Sequence, residues 1–209
     1  MSALTSPAKF PAGCPADCPA EPEGAALAAL QALRAELGPT AVLWGADVPE
    51  RNGNDWSAQP PSPPLAVVRP LDAAGVSAAL KACRAAGLPV VPQGGLTGLC
   101  GGARAQPGWV ALSLERMVGV EEIDADACTM TVRAGTPLEA VQRAAAEAGL
   151  YFALDLGSRG SCAIGGNLST NAGGNRVIRY GMTRDMILGL EVVLADGTIV
   201  SSLNALIKN

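Results

Sequence analysis

Two stretches of this 209-residue chain concentrate residues that could do chemistry, and both are built on glycine. The first, PQGGLTGLCGG, runs from Pro92 to Gly102 and places five glycines directly after the apolar run LPVV. The second, GSRGSCAIGGNLSTNAGG (157–174), holds six glycines, two asparagines and four hydroxyl residues in eighteen positions. Successive backbone N–H groups can converge on one anion only where no Cβ intervenes, so each run is a candidate phosphate cradle. Thr97 adds a hydroxyl to the first. That stretch is no Walker loop, since no Gly-Lys-Ser/Thr follows. Nor does it open a helix as a dinucleotide fingerprint does, since Pro107-Gly108 and a strand pattern come next. Alone it would also fit a wide turn between strands. Two such loops about sixty residues apart, each beside strands, could instead converge on one elongated phosphate-bearing ligand.

Other chemistry is excluded by composition. The chain has no histidine, so Ser-His-Asp and Cys-His catalysis and any histidine base are ruled out. A cofactor or another polypeptide must supply the reactive group. The net charge of −4 and 3 % aromatic content leave no basic stripe for nucleic acid. Of six cysteines, Cys83, Cys100, Cys128 and Cys162 sit in apolar or glycine-rich surroundings and read as reduced thiols. Cys14 and Cys18 lie among prolines with no histidine to join them, a poor metal site. No apolar run is long enough for a membrane span, and the first residues match neither a secretory nor a transit peptide. A cytoplasmic protein is expected.

The elements that must position the two loops follow from periodicity. Residues 1–23 are Pro- and Ala-rich and expected to be disordered. Residues 24–64 comprise a helix and a turn-rich linker. The helix (24–38) carries Leu27, Leu30, Leu33 and Leu37 on one face and stops at Gly38-Pro39; the linker is ERNGNDWSAQPPSPP (50–64). A strand (65–70), a helix (71–87) with Asp72 as N-cap, and a strand (88–93) form a βαβ unit, which predicts parallel pairing of its two strands. This opens a first lobe spanning 65–125. The second lobe, 126–209, begins with a strand (128–135) that places Met130 and Val132 on one face. A helix (136–149) follows, with Thr136 as N-cap and Glu139 completing a capping box. Its last predicted element is a hairpin around Asp196-Gly197.

The segments PLAVVRP, VVPQGGLTGLCGGA, LDLGSRGSCAIGGNLSTNAGGNRVIRYG and LGLEVVLADGTIV, in this order and spacing, resemble one known family. It is the FAD-linked oxidases of the vanillyl-alcohol-oxidase type, which carry a PCMH-type FAD-binding domain. Within it the likeness is greatest to D-2-hydroxyglutarate, D-lactate and glycolate dehydrogenases, and it runs from about residue 38 to the end. The resemblance implies an α+β, two-lobed domain with FAD between the lobes. Pro92 and the segment from Gln93 to Leu99 would wrap the pyrophosphate, with the amides of Gly94, Gly95, Thr97 and Gly98 as donors. Leu96 stands where relatives often carry a polar residue. Asp155, Gly157, Ser158, Ser161, Gly165, Gly166, Asn167, Thr170, Asn171, Gly173 and Gly174 would line the ribityl chain and flavin ring, and Tyr180 and Gly181 would close that wall. Asn167 and Asn171 could instead cap a short helix after Gly166, though the resemblance favours flavin contact. Without a histidine, FAD is expected to be non-covalent.

Relatives of this type continue past the segment matching LNALIKN. They complete the flavin site and add a cap domain that meets the substrate. The resemblance therefore implies an incomplete second lobe here and inactivity of this piece alone. In the whole enzyme a D-2-hydroxy acid would give a hydride from Cα to flavin N5. The alternatives are a stand-alone FAD-binding subunit working with a separate cap-bearing or electron-transfer chain, or a non-functional truncated fragment.

Overall fold

The computed structural model describes residues 20–203; Cys14, Cys18 and most of the segment expected to be disordered lie outside them. Helix α1 (Gly24–Leu37) buries Leu30 and Leu33 and ends where Gly38 takes a left-handed φ of +97°. Strands β1 (Val42–Trp44), β2 (Ala66–Val68), β3 (Val90–Gln93) and β4 (Val110–Ser113) form one sheet in the order β1-β2-β4-β3. Helix α2 (Ala73–Ala85) joins β2 to β3, and its N-cap is Asp72, whose carboxylate accepts the Gly75 N–H at 2.8 Å.

The βαβ expectation is corrected in one respect. β2 and β3 run parallel in the same sheet but do not pair; β4 lies between them and pairs with both. All four residues of β4 are buried, which only a central strand covered on both faces permits. β1 escaped the sequence reading because three residues show no alternation, and it pairs antiparallel with β2. One sheet face packs on α1 and α2 through Leu30, Leu33, Val68, Val76 and Leu112. Cys83 belongs to this core, and burial pushes its thiol up to about 11, so it packs as a small protonated hydrophobe. The other face buries Val67, Val91, Ala105 and Ala111.

Strands β5 (Val120–Asp124) and β6 (Thr129–Val132) pair as an antiparallel hairpin, so the 125/126 lobe boundary falls inside its turn. The turn is polar on both sides, and no change of composition marks it. Met130 and Val132 share a face, as the alternation predicts, and pack on a second core of Leu138, Val141, Leu154, Cys162 and Ile164. Helix α3 spans Leu138–Glu147 with Pro137 at its N-cap and no side-chain cap. Thr136 is not the cap: its buried hydroxyl is engaged with the backbone of Gly119, accepting its N–H at 2.9 Å. The short helices α4 (Ile164–Ser169) and α5 (Val177–Tyr180) follow.

Strands β7 (Glu191–Val193) and β8 (Ile199–Ser201) form the hairpin around Asp196-Gly197. It docks on α2, where the Ser77 hydroxyl donates to the Gly197 carbonyl and Val193 joins the first core. Its outer face leaves Val192, Leu194 and Val200 exposed. No helix among the described residues is long and apolar enough to cross a membrane. Asp72→Ala is expected to cost about 1 kcal/mol through loss of the α2 cap. In thermal melts it should lower the melting temperature by about 2–4 °C.

Candidate functional site

The first glycine loop leaves the sheet at the end of β3, and its geometry begins with Gln93. The Gln93 amide is 1 % exposed and engaged at both ends. Its Nε2 donates to the carbonyls of Asn52 and Ala103 at 2.9 Å each, and its Oε1 accepts from Asn52 Nδ2 at 2.7 Å. Its side chain therefore shapes the loop from behind, while Pro92 is exposed beside it. Beyond it, none of the backbone N–H groups from Gly94 to Cys100 donates to a described residue. Four of these, Gly94 to Thr97, lie in half-buried backbone, where N–H groups are normally satisfied, and Gly98 to Cys100 are exposed. Leu96 adopts a left-handed φ of +59°, a conformation an L side chain rarely takes and one that bends this run sharply. Leu99 is largely exposed, and Thr97 is half-buried.

The second loop meets the first directly. A Cβ on Gly95 would overlap the Ser161 carbonyl oxygen, and one on Gly94 would lie 3.2 Å from the Ala163 side chain and 3.8 Å from the Gly166 backbone. The sequence reading gave the first loop's glycines to a ligand. At Gly95 the bare backbone is required by the protein itself, because the other loop occupies that space. Gly165 is bare for the same kind of reason, since its Cβ would meet that of Ala134 at 2.8 Å. Gly174, at φ +76°, lies against the Asp155 carbonyl. Gly98, Gly157 and Gly166 differ: a Cβ on any of them would meet nothing within 4 Å. The convergence of the two loops predicted from spacing is present, and its glycines divide into a packed set and an open set.

Local anchors fix the second loop. Leu138 N–H donates to the Cys162 carbonyl, Ile164 N–H to that of Thr136, and Glu139 N–H to that of Arg159, so the loop is tied to the start of α3. The Ser158 carbonyl accepts from Ser161 and Cys162, closing a turn that leaves the Ser161 side chain exposed. Asn167 lies inside α4 rather than capping a helix after Gly166, because that helix starts two residues before Gly166. It is buried, with Nδ2 3.5 Å from Cys162 Sγ. Thr170 turns its hydroxyl back to the Gly166 carbonyl at 3.0 Å. Asn171, left-handed at φ +50°, accepts the Arg184 N–H at 3.0 Å and so ties the end of α4 to the later turn. Gly173 packs by Met182 and Val177, and Gly181 turns the chain at φ +78° after Tyr180. The Tyr180 ring stands 5.8 Å from that of Tyr151.

The arginines here reach the surface but are paired. Asp155 is buried and takes Arg159 at 2.9 Å and Arg176 at 3.3 Å. The hydrogen bond from Arg159, reinforced by the Arg176 charge, holds its carboxyl below the ordinary aspartate range. Arg176 also bonds the Tyr151 hydroxyl, and Arg179 lies over the Tyr180 ring. Sequence reasoning missed Asn52 as a site-shaping residue and gave Arg159 and Arg176 no part in holding Asp155. Each looks like an ordinary loop residue until the chain folds back on itself. Among the described residues no His, Cys, Asp or Glu cluster could hold a metal ion.

Because the Asp155 pKa is lowered by folding, its ion pairs contribute stability above the unfolded aspartate value of about 3.9. That contribution is lost as pH falls through the lowered folded value. Asp155→Asn is expected to flatten the acid limb of stability below about pH 4, read by thermal melts across pH. Gly95→Ala is expected to cost about 1–3 kcal/mol by forcing the loops apart, while Gly98→Ala leaves the melting temperature unchanged.

Known proteins place this geometry in context. The chain is 46 % identical over 181 residues to a D-2-hydroxyglutarate dehydrogenase of Xanthomonas citri pv. viticola, covering 87 % of this chain and 37 % of that protein. It is 40 % identical over 171 residues to the mitochondrial D-2-hydroxyglutarate dehydrogenase of Danio rerio, covering 82 % and 32 %. The chain thus spans about a third of the length of these relatives. The crystal structure of p-cresol methylhydroxylase superposes with a TM-score of 0.74 at 23 % identity, over 92 % of this chain and 36 % of that one, so the fold is of the PCMH type. The FAD binding domain family model matches residues 64–202, two meeting glycine loops included, and the chain belongs to that family.

Proposed function

We propose that the chain holds FAD, non-covalently, where the two glycine loops meet, and that it is the cofactor-holding part of a dehydrogenase of 2-hydroxy acids. The observation that carries this is the unpartnered run of N–H groups from Gly94 to Cys100. Beside it Gly94 approaches Gly166, one of the glycines that open onto empty space. Neutral amide donors, three of them on glycines, suit a diphosphate, whose oxygens accept without needing a lysine. The open glycines leave room for the rest of an elongated cofactor, so the residues fit the group. Bound FAD supplies the hydride acceptor; the chemistry of transfer is the cofactor's.

The chain's own contribution is orientation. The Gly94–Cys100 amides hold the phosphates, Gly98, Gly157 and Gly166 allow close approach, and the Arg159–Asp155–Arg176 group keeps the second loop in place. Asp155 serves as a structural carboxylate, since its two arginines occupy it and hold it ionised. No residue here is assigned as the base that takes the substrate hydroxyl proton. The substrate class follows from the D-2-hydroxyglutarate dehydrogenases that this chain matches.

The purified chain is expected to show a flavin absorption spectrum, or to acquire one with added FAD. Acid precipitation should then release all of the FAD, identified chromatographically. A chain that stays colourless with FAD in excess refutes the reading. Gly166→Ala separates the cofactor's demand from the fold's. In α4 the added methyl should stabilise the cofactor-free chain by about 0.5–1 kcal/mol. It should nevertheless raise the Kd for FAD at least about tenfold, because the methyl occupies cofactor space.

A further inference from the structure

The segment 50–62 reads from sequence as a linker, yet it grips the first glycine loop at its beginning, middle and end. A 3-10 turn at Glu50–Gly53 buries Asn52, which is 1 % exposed. Before the loop, Asn52 and Gln93 exchange a pair of hydrogen bonds, and Gln93 reaches on to the Ala103 carbonyl. At mid-loop the Trp56 N–H donates to the Gly98 carbonyl at 3.1 Å. At the far end the Arg104 guanidinium bonds the Gln59 side chain and the Pro60 carbonyl, and the Ser62 hydroxyl donates to the Ala105 carbonyl at 2.8 Å. Ser62 N–H closes the segment on itself at the Gly53 carbonyl, 2.8 Å away.

Where this segment touches the backbone of the loop and its exit it donates to carbonyl oxygens, those of Gly98 and Ala105, while Gln93, held by Asn52, takes that of Ala103. A loop so held keeps its shape while its N–H groups stay free. Asn52 Oδ1 is buried without a partner, which costs free energy that a smaller apolar residue would avoid. That cost is consistent with a residue retained for the position of Gln93. We propose that residues 50–62 form a clasp that pre-sets the open shape of the Gly94–Gly102 loop, with Asn52 as a positioning residue for FAD. The clasp precedes the matched span of the FAD binding domain, 64–202. Its consequence for FAD rests on the proposed function.

The test uses the full chain and three variants. Asn52→Ala and Ser62→Ala open the clasp at opposite ends. Ser77→Ala removes a buried hydrogen bond to Gly197, outside the clasp, and serves as the stability control. Two quantities are read: the rate of tryptic cleavage after Arg104 in cofactor-free protein, and the Kd for FAD from flavin fluorescence. Asn52→Ala is expected to speed cleavage after Arg104 and raise the Kd by about tenfold each, one buried hydrogen-bond pair's worth. Ser62→Ala should do the same more weakly, and it carries the test if Asn52→Ala does not fold. Ser77→Ala should lower the melting temperature and leave both readings unchanged. Cleavage no faster than in the control overturns the clasp, whether or not flavin binds. Faster cleavage with a Kd within twofold of the parent overturns the positioning role. A parent chain that binds no FAD refutes the proposed function, while the cleavage rates still decide the clasp.

Discussion

The contact on which the site depends is one of backbone against backbone, Gly95 against the carbonyl of Ser161. No side chain could mediate it, because even one methyl would overlap the oxygen. Around it the rest is arranged. The sheet ends β3 at the right place, and Thr136 and the start of α3 anchor the second loop through three backbone hydrogen bonds. A protein interior is close-packed and tolerates little adjustment, so the distance between the loops is set there. Whatever lies across both loops meets a surface of fixed width.

Much of this was legible in the sequence, for identifiable reasons. Asp72, the helix stop at Gly38 and the Asp196-Gly197 turn are local devices, decided by residues within a few positions, and each appears as read. The two glycine loops and their meeting could be anticipated because glycine at that density has few other uses. The errors came from longer range. Thr136 has the sequence of a cap, yet the turn at Gly119 claims its hydroxyl from across the hairpin. β4 enters between β2 and β3 because it is the strand apolar on both faces, which pairwise reading of a βαβ unit does not reveal.

The glycines themselves were only half legible. Composition signals that bare backbone is needed but does not say what presses against it. Gly95, Gly165 and Gly174 face other parts of the chain, whereas Gly98, Gly157 and Gly166 face space. The same holds for charge. Arg159 and Arg176 resemble solvated surface residues until both are found on one buried carboxylate. A linker of prolines and polar residues likewise carries no sign that Asn52 is among the most deeply buried polar groups in the structure.

The outer face of the β7–β8 hairpin has a practical consequence. Val192 and Val200 are cross-strand partners on a short two-stranded ribbon, and both stand in solvent with Leu194 beside them. Among the described residues no further strand pairs with either edge of this ribbon, and open edges together with apolar side chains are the combination that recruits another strand. Handling of the isolated chain is therefore governed by concentration as much as by temperature. Refolding yield is expected to fall as the chain is concentrated, through edge-to-edge association at this hairpin, and a charged residue at position 192 or 200 is expected to restore it.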